Sequence, residues 1–152
     1  MQQLLSVRFR APCAALAGHV TSIYFVDCGE DGVDDWLHPE WANIRFAVKG
    51  DWTWSAQGAA DADAAMQGAN LFGPTVRAAR ITGSPHGRVV GIGLTPLGWS
   101  QLVGTPAKAL ANVAVPLESA WPTGSALPDD LATASDDECL TRLDLWLSAR
   151  LA

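Results

Sequence analysis

Apolar and polar positions alternate with a period of two through the first two thirds of the chain, then recur at helical spacing in the last third. Residues 6–10 place Val7 and Phe9 on one face and Arg8 and Arg10 on the other, as in a half-buried strand that Pro12 ends. Residues 13–18 suit one helical turn, and 20–27 (VTSIYFVD) are rich in the β-branched and aromatic types that favour a second strand. A polar turn is expected over 28–35, with Gly29 and Gly32 inside it. Residues 41–48 alternate most clearly: Ala42, Ile44, Phe46 and Val48 face one way, while Trp41, Asn43 and Arg45 face the other. Gly50 and Asp51 then predict a tight turn, with 52–55 pairing back as a hairpin. Residues 56–65 carry little bulk and read as a loop, and Gly73-Pro74 marks a turn. Strands follow over 76–81 and 88–94.

From Thr95 onward the pattern is helical. Thr95-Pro96 and Thr105-Pro106 each pair a capping hydroxyl with a proline suited to the first helical position. Residues 135–152 form the longest helix, opened by Ser135 and Glu138 in capping-box spacing. Leu140, Leu143, Leu147 and Leu151 form a stripe along it, with Trp146 on the flank, and this stripe is a candidate interface for a second copy of the chain. Strands first and helices last predict an α+β fold: a small β-barrel followed by C-terminal helices, in a single domain over 1–152.

Composition narrows the class of function. Hydrophobic residues make up 49% and charged residues 17% of 152, enough apolar material for a substantial core. No apolar run reaches the roughly 20 residues that span a bilayer, so a cytoplasmic location with no membrane contact is expected. The net charge of -6 repels a phosphate backbone, and this chain is not expected to touch nucleic acid itself. Cys13, Cys28 and Cys139 have no paired spacing and read as reduced, partly buried thiols.

Reactive constellations are sparse. There is no nucleophile elbow, phosphate loop or dinucleotide fingerprint, so the chain is not expected to be an enzyme or to carry a cofactor. His38-Pro39-Glu40 offers one histidine and one carboxylate near each other, and a metal site using His38, Glu40 and His86 is the alternative, enzymatic reading. Seven tryptophans are a heavy aromatic load, most of which should build core. The predicted hairpin is the exception. Trp41, Asn43 and Arg45 share one face, and Trp52 and Trp54 share a face on the expected partner strand, so these aromatics can line a cavity with Arg45 as its polar anchor and Arg77 beside it. Arg45 on that surface is suited to a carboxylate ligand, although an outer, solvent-facing position fits the same alternation.

Several segments together resemble the N-terminal sensor domain of a branch of AraC-type transcriptional regulators. Gly91 to Trp99, with Ala107, Leu110, Asn112 and Pro116-Leu117, is the most specific stretch. Pro12, Leu16, Val20 and Tyr24 are similar to the opening pattern of those domains, Pro39 to Phe46 to their central strand, and Leu71 to Thr75 to a glycine-containing turn. The resemblance implies a cupin-like β-barrel that senses an unknown small-molecule effector or mediates homodimerisation. It further implies two DNA-binding helix-turn-helix motifs beyond residue 152. An interaction module without a ligand is a third possibility.

Overall fold

The computed structural model describes residues 5–58, 64–121, 128 and 130–151. Eight strands build it: β1 (Leu5–Arg10), β2 (Val20–Cys28), β3 (Val33–Leu37), β4 (Asn43–Ala56), β5 (Ala64–Phe72), β6 (Ala79–Gly83), β7 (Arg88–Leu94) and β8 (Ala114–Pro116). Three helices follow the main strands, α1 (Pro96–Leu102), α2 (Leu117–Ala120) and α3 (Asp136–Leu151), with short 3-10 turns at Ala14–Leu16 and Ala107–Leu110. The α+β class with C-terminal helices is therefore the observed one.

All pairings are antiparallel. One layer runs β1-β2-β7-β4-β5-β8, while β3 pairs with β6 and β6 pairs with the second half of β4. Strand β4 thus belongs to both layers. Its first half, Asn43 to Lys49, pairs with β7, and its second half, Trp52 to Ala56, pairs with β6. This corrects the expected hairpin at Gly50-Asp51: the strand continues through a bulge between Ala47 and Trp52, with Gly50 at φ +82°. The physical reason is one of parity. An extra residue flips the alternation, so Asn43, Arg45 and Ala47 point between the layers before the bulge, and Trp52, Trp54 and Ala56 do so after it. The same bend turns the sheet over on itself without closing it, leaving β1 and β3 as edges facing each other across the interior.

Two cores result. The inner one, between the layers, holds Cys28, Trp52, Trp54, Met66, Phe72 and Val89. The outer one lies between the larger layer and the helices: Ile23, Phe25, Ile44, Phe46, Val90, Ile92 and Leu94 meet Leu16, Trp99, Leu102, Leu143 and Leu147. Strands β4 and β7 are covered on both faces, which is why β7 reads as an unbroken apolar run.

Several local expectations change. Strand β3 occupies the end of the segment read as a turn, because pairing with β6 overrides its polar composition. Strand β5 begins at the end of the 56–65 segment read as a loop and runs to the Gly73-Pro74 turn, and part of that loop lies outside the described residues. Thr95 caps α1 as expected, accepting from the Gly98 N–H at 2.9 Å, whereas Thr105 precedes only a 3-10 turn that has no side-chain cap. The Ser135 hydroxyl accepts from the Glu138 N–H at 3.2 Å and opens α3. The stripe assigned to an interface is spent within the chain: Leu143 and Leu147 are fully buried in the outer core, and Leu140, Trp146 and Leu151 pack against it. The outer face of the sheet is the nearest large apolar surface, and it claims the helix. No helix among the described residues is long and apolar enough to cross a membrane.

Candidate functional site

The opening between the edges β1 and β3 leads to a pocket of about 190 Å³. Leu5, Val7 and Phe9 of β1, Tyr24 and Val26 of β2, and Val33 and Leu37 of β3 wall it, with Trp52, Ile81 and Val89 deeper in. Charged groups enter it from three positions: Asp35 on β3, Glu40 in the connection before β4, and Arg45 on β4. A second hollow of about 260 Å³ adjoins it, sharing Phe9, Tyr24 and Glu40 and bounded by Trp41 and Asn43. The apolar face of β1 is therefore its open face, with Phe9 68% exposed at the mouth, while Arg8 and Arg10 turn toward α3.

A buried polar chain forms the inner wall. The Arg45 Nε–H donates to the Tyr24 hydroxyl at 2.8 Å, and that hydroxyl donates to Asn43 Oδ1 at 2.8 Å. Asn43 Nδ2 donates to the Trp41 carbonyl at 2.9 Å. Arg45 Nη2 donates to Glu40 Oε1 at 2.6 Å, and the guanidinium carbon lies 4.7 Å from the centre of the Phe72 ring. Glu40 is held by its backbone too: its N–H donates to Thr75 Oγ1, and its carbonyl accepts from the Thr75 N–H, both at 2.9 Å. Burial pushes the Tyr24 phenol above its ordinary range, against the pull of Arg45. Burial also works against the Arg45 charge, but Tyr24 and Glu40 together outweigh it and hold the guanidinium charged. Arg45 Nη1 is buried with no hydrogen-bond partner.

Strand register builds this chain. Tyr24 and Arg45 both lie opposite Gly91, one on each neighbouring strand. A Cβ at Gly91 would stand 2.1 Å from Tyr24 Cζ, so the glycine leaves the space through which the ring reaches the arginine.

The predicted site residues separate. Asn43 and Arg45 face the interior together as the alternation implied, and Trp52 lines the pocket from beyond the bulge. Trp41 is exposed and borders the adjoining hollow. Trp54 is buried edge-on against Phe72 at 5.0 Å, away from the pocket lining, and Arg77 is exposed, donates to the Gln57 carbonyl and is not part of that lining. Two of the Arg45 guanidinium nitrogens, Nε and Nη2, already hold Tyr24 and Glu40, which leaves Nη1 alone without a partner in the structure. Phe9, Tyr24 and Asp35 were missed. Phe9 and Tyr24 sit on strands whose inner face can be read from alternation, whereas Asp35 lies on β3, which only pairing with β6 makes a strand.

His38, Glu40 and His86 are not gathered into a metal-binding group; no cluster of three His, Cys, Asp or Glu side chains suited to a metal occurs among the described residues. His86 instead forms the β6–β7 turn at φ 58°. Cys13, Cys28 and Cys139 are free thiols, and burial raises the last two above their usual range.

No protein-family model matches this sequence, and no curated protein matches it. Among solved structures, the chain is similar to a cupin superfamily protein from Desulfitobacterium hafniense DCB-2, at 12% identity and TM-score 0.46, over 62% of this chain and 80% of that one. It is similar to KdgF from Halomonas sp., at 13% identity and TM-score 0.45, over 62% and 84%, and to the Clostridium difficile EutQ protein, at 9% and 0.43, over 64% and 66%. These resemblances are partial and assign no chemistry. The strand pairings of the chain itself describe a small antiparallel β-sandwich, unclosed, with helices on one outer face.

Proposed function

We propose that this chain is the effector-sensing domain of a bacterial AraC-type transcription regulator, with the pocket between β1 and β3 as the effector site. One observation carries the reading: β1 is shared between the pocket and the terminal helix. Its inward residues, Leu5, Val7 and Phe9, line the pocket. The intervening arginines grip the first turn of α3, with Arg8 Nε 2.6 Å from Asp136 and Arg10 Nη2 2.7 Å from Asp137. An effector that moves β1 moves the start of α3, and its differential affinity for the two positions sets the output. The net charge of -6 supports a reading in which this domain leaves DNA contact to another part of the regulator.

Hydrogen exchange at the first-turn amides of α3, measured with and without a stabilising small molecule found by thermal-shift screening, tests this reading. Ligand-dependent protection there that disappears in Arg8→Gln supports it. A ligand that stabilises the protein but leaves α3 exchange unchanged removes the readout. Paired helix-turn-helix sequences encoded downstream of residue 152 would support the regulator assignment, and their absence from that reading frame would count against it.

A further inference from the structure

Among the pocket's charged groups, the accessible ones are acidic. Asp35 alternates with Val33 and Leu37 along β3 and shares their pocket-lining face, and it is exposed at the rim. Glu40 is about one-third exposed, with its backbone anchored on Thr75 and one carboxylate oxygen anchored on Arg45. The one positive charge is set behind them. Arg45 is only 5% exposed at its side chain, and its Nε and Nη2 are occupied by Tyr24 and Glu40. Arg45 therefore cancels one of the two carboxylates and leaves the pocket with a net charge of about -1. Aromatic surface completes the enclosure, with Phe9 at the mouth, Trp52 at the floor and Tyr24 along the wall.

From this arrangement we infer that the pocket is selective for a small organic cation, an amine carried on a mainly apolar body, and disfavours the carboxylates that an arginine-lined cavity would suggest. The inference rests on the sensor reading for the location of the site and adds the chemistry of its ligand. An ammonium group at the acidic side of the pocket gains a carboxylate acceptor and the faces of neighbouring rings, the combination by which proteins hold alkylammonium ions. The body of the ligand replaces water along Val7, Val26, Leu37 and Ile81. The volume equals roughly six waters' share of liquid, which suits a single ring bearing a short chain. Arg45 Nη1, a buried donor without an acceptor, marks the inner end as a place for a ligand oxygen. A carboxylate entering the same space meets two like charges and finds only Nη1 of the guanidinium without an acceptor, Nε and Nη2 being held by Tyr24 and Glu40.

Three probes of nearly one shape separate these cases: phenethylamine, 2-phenylethanol and 3-phenylpropionate, titrated at pH 7 and low salt by calorimetry and saturation-transfer NMR. Phenethylamine is expected to bind about tenfold or more tighter than the alcohol, with no detectable binding of the acid. High salt should narrow that margin. Asp35→Asn should weaken phenethylamine several-fold without shifting the unfolding midpoint, since Asp35 is exposed at the rim and its side-chain hydrogen bond is a local one, from the Trp36 N–H to Oδ1, which an Asn oxygen can also accept. Val7→Trp, which fills the mouth, should abolish binding. If it also unfolds the protein, Asp35→Asn alone locates the contact. Tighter binding of the alcohol or the acid, or phenethylamine binding that Asp35→Asn leaves unchanged, overturns the proposal. A neutral or anionic effector that still protects α3 in the exchange experiment would retain the sensor reading and remove this one.

Discussion

Tyr24 and Arg45 meet directly across Gly91, on the two strands that flank β7, and their 2.8 Å hydrogen bond links the second and fourth strands through the interior. The arrangement needs a missing side chain as much as the two that are present. Gly91→Ala should force the Tyr24 ring from its place, because pairing with β2 on one side and β4 on the other holds β7 in position. The expected loss is about 1–3 kcal/mol in urea unfolding, with a change in the near-ultraviolet circular dichroism of the aromatics.

Tyr24→Phe keeps the ring and removes one oxygen. That oxygen accepts from Arg45 and donates to Asn43, so its loss strands a buried donor and a buried acceptor. Destabilisation of about 1–3 kcal/mol is expected, more than for a surface hydroxyl. A Tyr24→Phe/Asn43→Leu double variant should recover part of the loss, and strict additivity of the two single changes would argue against coupling.

At the opposite face, Asp136 accepts from Arg8 Nε at 2.6 Å and from Arg88 Nη2 at 2.9 Å. The hydrogen bond from Arg8 is the main cause that holds the Asp136 carboxyl below its ordinary range. A depressed folded-state value means that the contribution is fully present above the unfolded carboxylate range, near 4, and fades as pH falls through the lower folded value. Asp136→Asn should cost about 1 kcal/mol at pH 7, the partial exposure of Arg8 limiting the effect. Unfolding curves of the two proteins, recorded from pH 7 down to the most acidic pH at which both fold, should converge as pH falls. A constant gap would place the effect elsewhere.

Leu143 and Leu147 are fully buried beneath the larger sheet layer. Leu143→Ala and Leu147→Ala should each cost about 2–5 kcal/mol in chemical denaturation. Light scattering on the folded variants should return the same mass as the parent. A change in mass without loss of stability would restore the stripe to an interface.

Local periodicity determined much of this protein in advance. The β7 bounds, the Thr95 cap on α1, the start of α3 and the two faces of residues 42–46 all follow from contacts within a few positions. What periodicity cannot contain is which strands become neighbours. Strand β3 is polar in composition and becomes a strand only because β6 supplies its partner, and β4 runs through Gly50 because both of its halves find other strands to pair with. The candidate site depended on the same decision. Arg45 was legible as an inward residue, but its occupation by Tyr24 and Glu40 comes from positions 21 and 5 away and from a register that sets Gly91 opposite both Tyr24 and Arg45, and the acidic rim adds Asp35 from β3. Side-chain direction is a property of one strand, whereas the charge of a pocket is the sum over several, and only their packing brings that sum together.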